Sequence, residues 1–367
     1  MTALYVHLPF CQRKCFYCSF VVSVAQLHRA DRYVRCLLQE ARQYKKQSIG
    51  SVYFGGGTPT MLDGRQLREL VHGLQDHFLC DEKTEFTIEA NPEDVTPAKT
   101  SIIRELGVNR ISLGVQSFHD KYLSYLGRCH DARRAVEAFG MLRDAGFKNL
   151  SVDLMYAFPE QTKEEIAEDV RQLTQLNSEH VSLYTLTVEE RSRFYARRIK
   201  EQKGPVQARH YRYVIQLLEK QGHRQYEVSN FCRQGYESVH NKNYWTGGDY
   251  IGLGVGAHSH AAGRRYWNVS RLDDYIGKVE ADESPCEGEE SLTPDQRLTE
   301  TMCFGLRMNE GVDIAQLEEM FGIKLARDKR EAIAKFVGQG LLSLNGDRLK
   351  TTLPGRLVLD EVCARLI

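Results

Sequence analysis

Apolar and polar positions alternate in two rhythms along the first half of this chain. Short β-branched or aromatic runs recur at residues 4–8, 52–54, 85–90, 110–115, 150–155 and 180–186. Each is too short for a helix and rich in the residues that favour strands. Helical patterns lie between them. After Asp131 the apolar residues Ala132, Ala135, Val136, Phe139 and Leu142 form a helical stripe, with Asp131 placed to cap its start and Gly146 its end. Thr96-Pro97 reads as a cap residue followed by proline in the first turn, and Thr162 with Glu165 as a capping box. Strands that alternate with helices predict parallel strands joined by crossover helices. Six such strands make either an incomplete barrel or an open doubly wound sheet, and the pattern alone fits both.

The rhythm weakens from about residue 194 to residue 282, a region rich in glycine and aromatics that includes HNKNYWTGGDYIGLGVGAHSH. From about residue 292 the chain reads as helical again. It then passes through GLLSLNGDRLKTT, where Asn345-Gly346 signals a hairpin turn. Helices followed by a hairpin resemble a winged helix. Lys+Arg and Asp+Glu both number 49, so no basic excess exists to neutralise a phosphate backbone. A structural cap is therefore expected there, and nucleic acid is not an expected partner.

Three cysteines crowd the segment after the first run: Cys11, Cys15 and Cys18 in CQRKCFYC. Four-iron clusters normally take four cysteines, so three leave one iron open to a substrate. Zinc, a disulfide with a spare thiol, and chance clustering compete with this reading. Structural zinc sites are closed by four ligands, and no fourth Cys or His follows at zinc-finger spacing. The other cysteines (Cys36, Cys80, Cys129, Cys232, Cys286, Cys303 and Cys363) are scattered singly, as expected of reduced thiols in a cytoplasmic protein. No secretory signal is legible in MTALYVHLPF, and no apolar stretch reaches the length of a membrane span.

In a parallel barrel, functional residues gather at the C-terminal ends of the strands. Here those ends carry the cysteine loop, Gly55-Gly56-Gly57-Thr58-Pro59, Glu89-Ala90-Asn91-Pro92, the region of Gln116, and Asp153. Glycines allow a ligand close to the backbone. Glu89, Gln116 and Asp153 suit ribose hydroxyls or an ammonium, and Arg128 suits a carboxylate.

CxxxCxxC after a first strand, followed by GGGTP, resembles the radical S-adenosylmethionine superfamily. LYVHLPFCQRKCFYC, FGGGTPTML, IEANPEDVT, RISLGVQSF, LGRCH, SVDLMYAFP, SLYTLTVEE and QYEVSNF resemble one branch of it, the oxygen-independent coproporphyrinogen oxidase-like family, which also contains haem chaperones. The resemblance implies a [4Fe-4S] cluster on Cys11, Cys15 and Cys18. It implies S-adenosylmethionine on the open iron, where an electron from the cluster cleaves the sulfonium to a 5′-deoxyadenosyl radical. By position it assigns Tyr5, Tyr17, Gly56, Gly57, Thr58, Glu89, Gln116, Arg128, Asp153 and Thr187 to that cofactor. The implied fold class is α/β: an incomplete (β/α)6 parallel barrel with a C-terminal, mainly helical, winged-helix-like domain. The implied domains are 1–193 (partial barrel), 194–290 (barrel extension) and 291–367 (helical domain with hairpin).

Within that branch the oxidase has a further cysteine where this chain has Phe20, and an extension before the first strand, where this chain opens on the strand. His240-Asn241-Lys242-Asn243-Tyr244-Trp245 resembles the HNxxYW motif of the chaperones, which implies haem binding through His240. The expectation is a chaperone that carries haem to acceptors such as respiratory cytochromes. Peripheral membrane association and a homodimer are compatible with it. Oxidative decarboxylation of coproporphyrinogen is the alternative. Two stretches depart from the chaperone pattern. Ser19-Phe20 replaces Asp-Phe, and AFPEQT replaces GLPGQT, with Ala157 and Glu160 at glycine positions.

Overall fold

The computed structural model describes residues 1–366. The six expected strands are present: β1 (Ala3–Leu8), β2 (Ser51–Gly56), β3 (Glu85–Ala90), β4 (Arg110–Gln116), β5 (Leu150–Tyr156) and β6 (His180–Thr185). Each pairs in parallel with the next in the chain. Parallel neighbours require a crossover, and helices Ala30–Ala41, Gly64–Gln75, Pro97–Glu105, Ala132–Asp144 and Lys163–Leu176 lie between successive strands. The caps form as expected. Asp131 accepts from Arg134 N, Thr96 accepts from Lys99 N, and Thr162 with Glu165 closes a capping box. Val136 departs from the expected stripe and stays exposed. The buried face of its helix runs through Ala135, Ala138, Phe139 and Leu142.

The region that reads as irregular from sequence is structured. A long helix, Gly204–Lys220, precedes β7 (Arg224–Gln225) and β8 (Asn230–Cys232), which extend the β6 edge antiparallel. β9 (Tyr250–Leu253) joins the other side of β1 as a further parallel strand. β10 (His258–Ala261), β11 (Arg264–Asn268) and β12 (Cys286–Ser291) continue antiparallel. The spatial order is β7-β8-β6-β5-β4-β3-β2-β1-β9-β10-β11-β12, and its two edges do not pair. Residues of β2 and β6 nevertheless line one cavity, so the parallel strands curl into an incomplete barrel. The fold is the expected α/β class with one extra parallel strand.

After Leu292 the chain builds a separate core from Met302, Leu306, Leu317, Phe336, Leu349 and Val362. Four helices (Pro294–Arg307, Ile314–Phe321, Arg330–Gly338, Leu359–Leu366) surround a small sheet of β13 (Val312–Asp313), β14 (Leu342–Asn345) and β15 (Arg348–Thr351). The expected hairpin is there, one residue out of register. Asn345 pairs with Arg348, so the turn pair is Gly346-Asp347, with Gly346 at φ 58°. Glycine at the first central position is the type II′ requirement.

Candidate functional site

Start with the loops after β1 and β2. Gly57 N donates to Leu8 O and Thr58 N to Phe10 O, so the glycine loop is stitched to the start of the cysteine loop. Gly56 has φ 104°, and a Cβ there would lie 2.4 Å from the His7 ring. A Cβ on Gly57 would lie 2.6 Å from Pro9 backbone. Only glycine fits at these two places. Thr58 Oγ1 lies 3.5 Å from Cys11 Sγ and accepts from Asn91 Nδ2 at 2.8 Å.

Arg128 ties the next strand ends to the cysteines. Its Nη2 donates to Asn91 Oδ1 at 2.6 Å and Gly114 O at 2.7 Å, and its Nη1 lies 3.4 Å from Cys15 Sγ. Its Nε is buried with no hydrogen-bond partner. Glu89 accepts from Tyr53 Oη at 2.7 Å and from Gly56 N at 3.1 Å. Asp153 accepts from Ser112 Oγ at 3.0 Å. Gln116 sits at φ 71°, at an irregularity in the β4–β5 register. Non-glycine residues in this region of backbone space carry strain that clusters at functional sites.

These groups line one cavity of about 400 Å3 at the C-terminal ends of the parallel strands. Cys11, Cys15, Cys18, Tyr17, Gly56, Gly57, Thr58, Glu89, Gln116, Arg128, Asp153 and Thr187 all face it. Tyr5 does not: it lies inside the barrel with its hydroxyl 3.1 Å from His7 Nδ1. Asn91, Ser112 and Tyr184 also line the cavity and were not among the expected ligands. Asn91 was legible as the residue before Pro92 at a strand end. Ser112 and Tyr184 carried no sequence signal.

The cavity's electrostatics favour a cation. Burial, reinforced by the charge of Asp153, pushes Glu89 up to about 7, against the hydrogen bonds from Tyr53 and Gly56. Burial raises Asp153 as well. Carboxyls raised by desolvation ionise more readily when a positive group enters. Burial also pushes the Cys11 thiol up to about 12 and raises Cys18, so iron would displace protons from these sulfurs.

His240 lies elsewhere. The first residues of the parallel strands form a polar floor at the opposite end of the barrel. Ser51 Oγ is 3.0 Å from His240 Nδ1, and Tyr244 Oη is 3.1 Å from His240 Nε2. The His240 ring stacks on Tyr53, with centroids 4.9 Å apart. Glu85 accepts from Val239 N and His240 N, both at 3.0 Å, and from Ser238 Oγ, and it faces the buried Arg110. Burial lowers His240 to about 3, so the ring is neutral. Ser51 and Gly56 are five residues apart on β2, which places His240 roughly 17 Å from the glycine loop along the strand.

Residues 5–173 match the radical SAM superfamily, and residues 292–358 the HemN C-terminal domain. A protein of Lactococcus lactis named "Heme chaperone HemW" is 34% identical over 96% of this chain and 93% of its own length. The chain belongs to the HemW family. A Bacillus subtilis HemW is 33% identical over 99% of this chain and 98% of its own. The coproporphyrinogen III oxidase HemN of Escherichia coli superposes with TM-score 0.88 at 25% identity, covering 100% of this chain and 89% of that one. The chain thus pairs a radical SAM region with a HemN-type C-terminal domain. Among the described residues no helix is long and apolar enough to cross a membrane.

The donor set fits the two groups that a radical SAM family implies. Three thiols, a buried guanidinium with an unpartnered Nε and a glycine cradle surround one cavity. Among the described residues no set of three or more His, Cys, Asp or Glu side chains is placed to hold a single metal ion.

Proposed function

We propose that this protein is a haem chaperone: it binds haem and passes it to haem-dependent proteins, respiratory cytochromes among them, in the cytoplasm. The observation that carries the reading is full-length identity at one third with proteins named for that task. In this reading Cys11, Cys15 and Cys18 hold a [4Fe-4S] cluster, with Arg128 beside Cys15 offsetting the thiolate charge. Glu89 and Asp153 receive the cationic end of S-adenosylmethionine, Gly56 and Gly57 admit it to the backbone, and Gln116 and Thr187 border it. Tyr17 closes the cavity beside the cysteines. When bound, such a cluster supplies one electron to the sulfonium. The residues around it exclude water, and Glu89 and Asp153 ionise as the cation enters.

The test is transfer. Haemin-loaded protein is mixed anaerobically with haem-free myoglobin, and the Soret band of the acceptor is followed. Growth of that band at a rate faster than free haemin release supports the proposal. Failure to load haemin, or conversion of coproporphyrinogen III to protoporphyrinogen IX by the reconstituted protein, overturns it in favour of the oxidase reaction. Replacing any one of Cys11, Cys15 or Cys18 by Ala should remove the iron and the visible charge-transfer absorption. Full iron content in such a variant would refute the cluster assignment.

A further inference from the structure

The cysteine loop carries charge on its outer side. Arg13 and Lys14 lie between Cys11 and Cys15, and five more cations (Arg191, Arg193, Arg197, Arg198 and Lys200) crowd residues 191–200, after β6. Lys14 is partly exposed and the others are exposed. Among the described residues none of the seven has a carboxylate partner. Three carboxylates, Glu189, Glu190 and Glu201, flank the run. The chain as a whole is balanced at 49 charges of each sign, so this excess is local.

The fold fastens the basic segment to the cysteines. Phe194 N donates to Phe16 O at 2.9 Å, and the Phe194 side chain is buried. The guanidinium groups of Arg193 and Arg197 lie over the Phe16 ring, 5.6 and 4.8 Å from its centroid. Phe16 stands between Cys15 and Tyr17. Two exposed arginines are therefore seated on the loop that carries the thiols. Stacking on a ring holds a guanidinium in place, so less order is lost when a partner arrives. Two exposed aromatics accompany them: Phe20 (65% exposed), at the mouth of the cysteine cavity, and Tyr195 (52% exposed), in the basic segment. Arginine with exposed aromatic rings is the composition of a protein-docking surface.

Placement tells which partner the charge serves. A concentrated positive surface steers and orients a negative one. Cations anywhere on the chain would serve a lipid surface or a polynucleotide equally well. Cations fixed to the cysteine loop serve a partner that must come close to the iron. Electron-transfer encounters are small and weak, and complementary charge governs how often they succeed.

We propose that this rim is the docking surface for an acidic one-electron donor protein of the flavin or iron–sulfur class. The inference rests on the cluster reading above and names the partner of that site. The donor's reduced centre loses one electron and the cluster gains it. No bond forms or breaks, and no proton crosses the interface.

The experiment uses flavodoxin, an acidic protein that carries FMN, as the probe. Oxidised flavodoxin is titrated by calorimetry into the cluster-free full chain at low and high salt. Photoreduced flavodoxin is mixed by stopped flow with the reconstituted chain, and the bleaching of the cluster's visible absorption is followed. Wild type should bind, and more weakly as salt rises. Arg193→Glu with Arg197→Glu should raise the Kd at least about tenfold and slow reduction to match. Arg193→Lys with Arg197→Lys keeps the charge and should stay within about threefold of wild type. Dithionite needs no docking surface and should bleach all three alike. If the glutamate pair lowers the melting temperature, Arg193→Gln with Arg197→Gln takes its place. Wild-type docking in the glutamate pair, equal losses in the lysine and glutamate pairs, or no docking by wild type overturns the surface. Charge-dependent binding to phosphatidylglycerol vesicles without binding of flavodoxin assigns the rim to lipid and also overturns the donor. A reconstituted wild type with no absorption for dithionite to bleach overturns the cluster reading itself, whatever the calorimetry shows.

Discussion

Residues Ala157 and Glu160 both adopt a left-handed backbone, each at φ 61°. Glu160 is the clearer case. Gln161 N donates to Phe158 O at 3.1 Å, closing a turn with Pro159 and Glu160 at its centre. Proline followed by a residue at positive φ is the type II arrangement, which prefers glycine at the second place. A side chain there costs about 1–2 kcal/mol, and glycine's extra freedom in the unfolded chain gives back about 0.5–1 kcal/mol. Glu160→Gly should therefore stabilise the protein by about 0.5–1 kcal/mol. Ala157 differs because its methyl group is fully buried. Losing it costs about 0.8 kcal/mol, which cancels the backbone gain. Ala157→Gly should change stability by less than about 0.5 kcal/mol. The assay is urea unfolding of both variants and of Glu160→Asn, since asparagine tolerates this backbone and should fall between glutamate and glycine. A destabilised Glu160→Gly, or Glu160→Val as stable as wild type, would refute the reasoning.

Other expectations concern the two ends of the barrel. Glu85→Ala leaves Arg110 buried without its partner and frees two amides of the Val239–Trp245 helix, so a loss of about 3–5 kcal/mol should be seen in denaturant unfolding. Gly56→Ala forces a Cβ against the His7 ring at positive φ, and should cost about 2–3 kcal/mol and reduce reconstituted iron. Glu89 titrates higher in the folded state than in the unfolded one. Its contribution is therefore full below its unfolded pKa and lost as pH rises through about 7. Glu89→Gln should stabilise the cofactor-free protein by about 1–3 kcal/mol at pH 8 and by almost nothing at pH 4.5, measured by thermal melts across that range. A pH-independent effect would show that burial does not set its protonation.

The residues of the cysteine-lined cavity were legible because each sits on a strand end beside residues of unusual backbone demand. Gly56 and Gly57 announce a close approach, and the cysteine spacing announces iron. Crossover helices were legible from caps such as Thr162 with Glu165, whose two hydrogen bonds both form. The run of strands β9–β12 was not legible. It is built from short strands in a glycine-rich stretch, where Gly252 lets the backbone of His258 come within 2.1 Å of the space a Cβ would fill. Strands of four or five residues paired through such approaches carry little periodic signal. The surroundings of His240 were not legible for a related reason. A histidine beside aromatics has the same local sequence in many settings, and its contact with Ser51 and its helix's contact with Glu85, distant in the chain, show only in the fold.

The double bonding of His240 makes that residue a keystone, which changes how a defect there should be interpreted. It joins the start of β2 to the last turn of the helix Val239–Trp245. Its removal would therefore loosen the masonry before any cargo arrives. A screen that scores only lost haem would not tell a lost ligand from a loosened helix. The two roles separate in the empty protein: a true ligand can be removed with the melting temperature unchanged, whereas a keystone lowers it with no haem present.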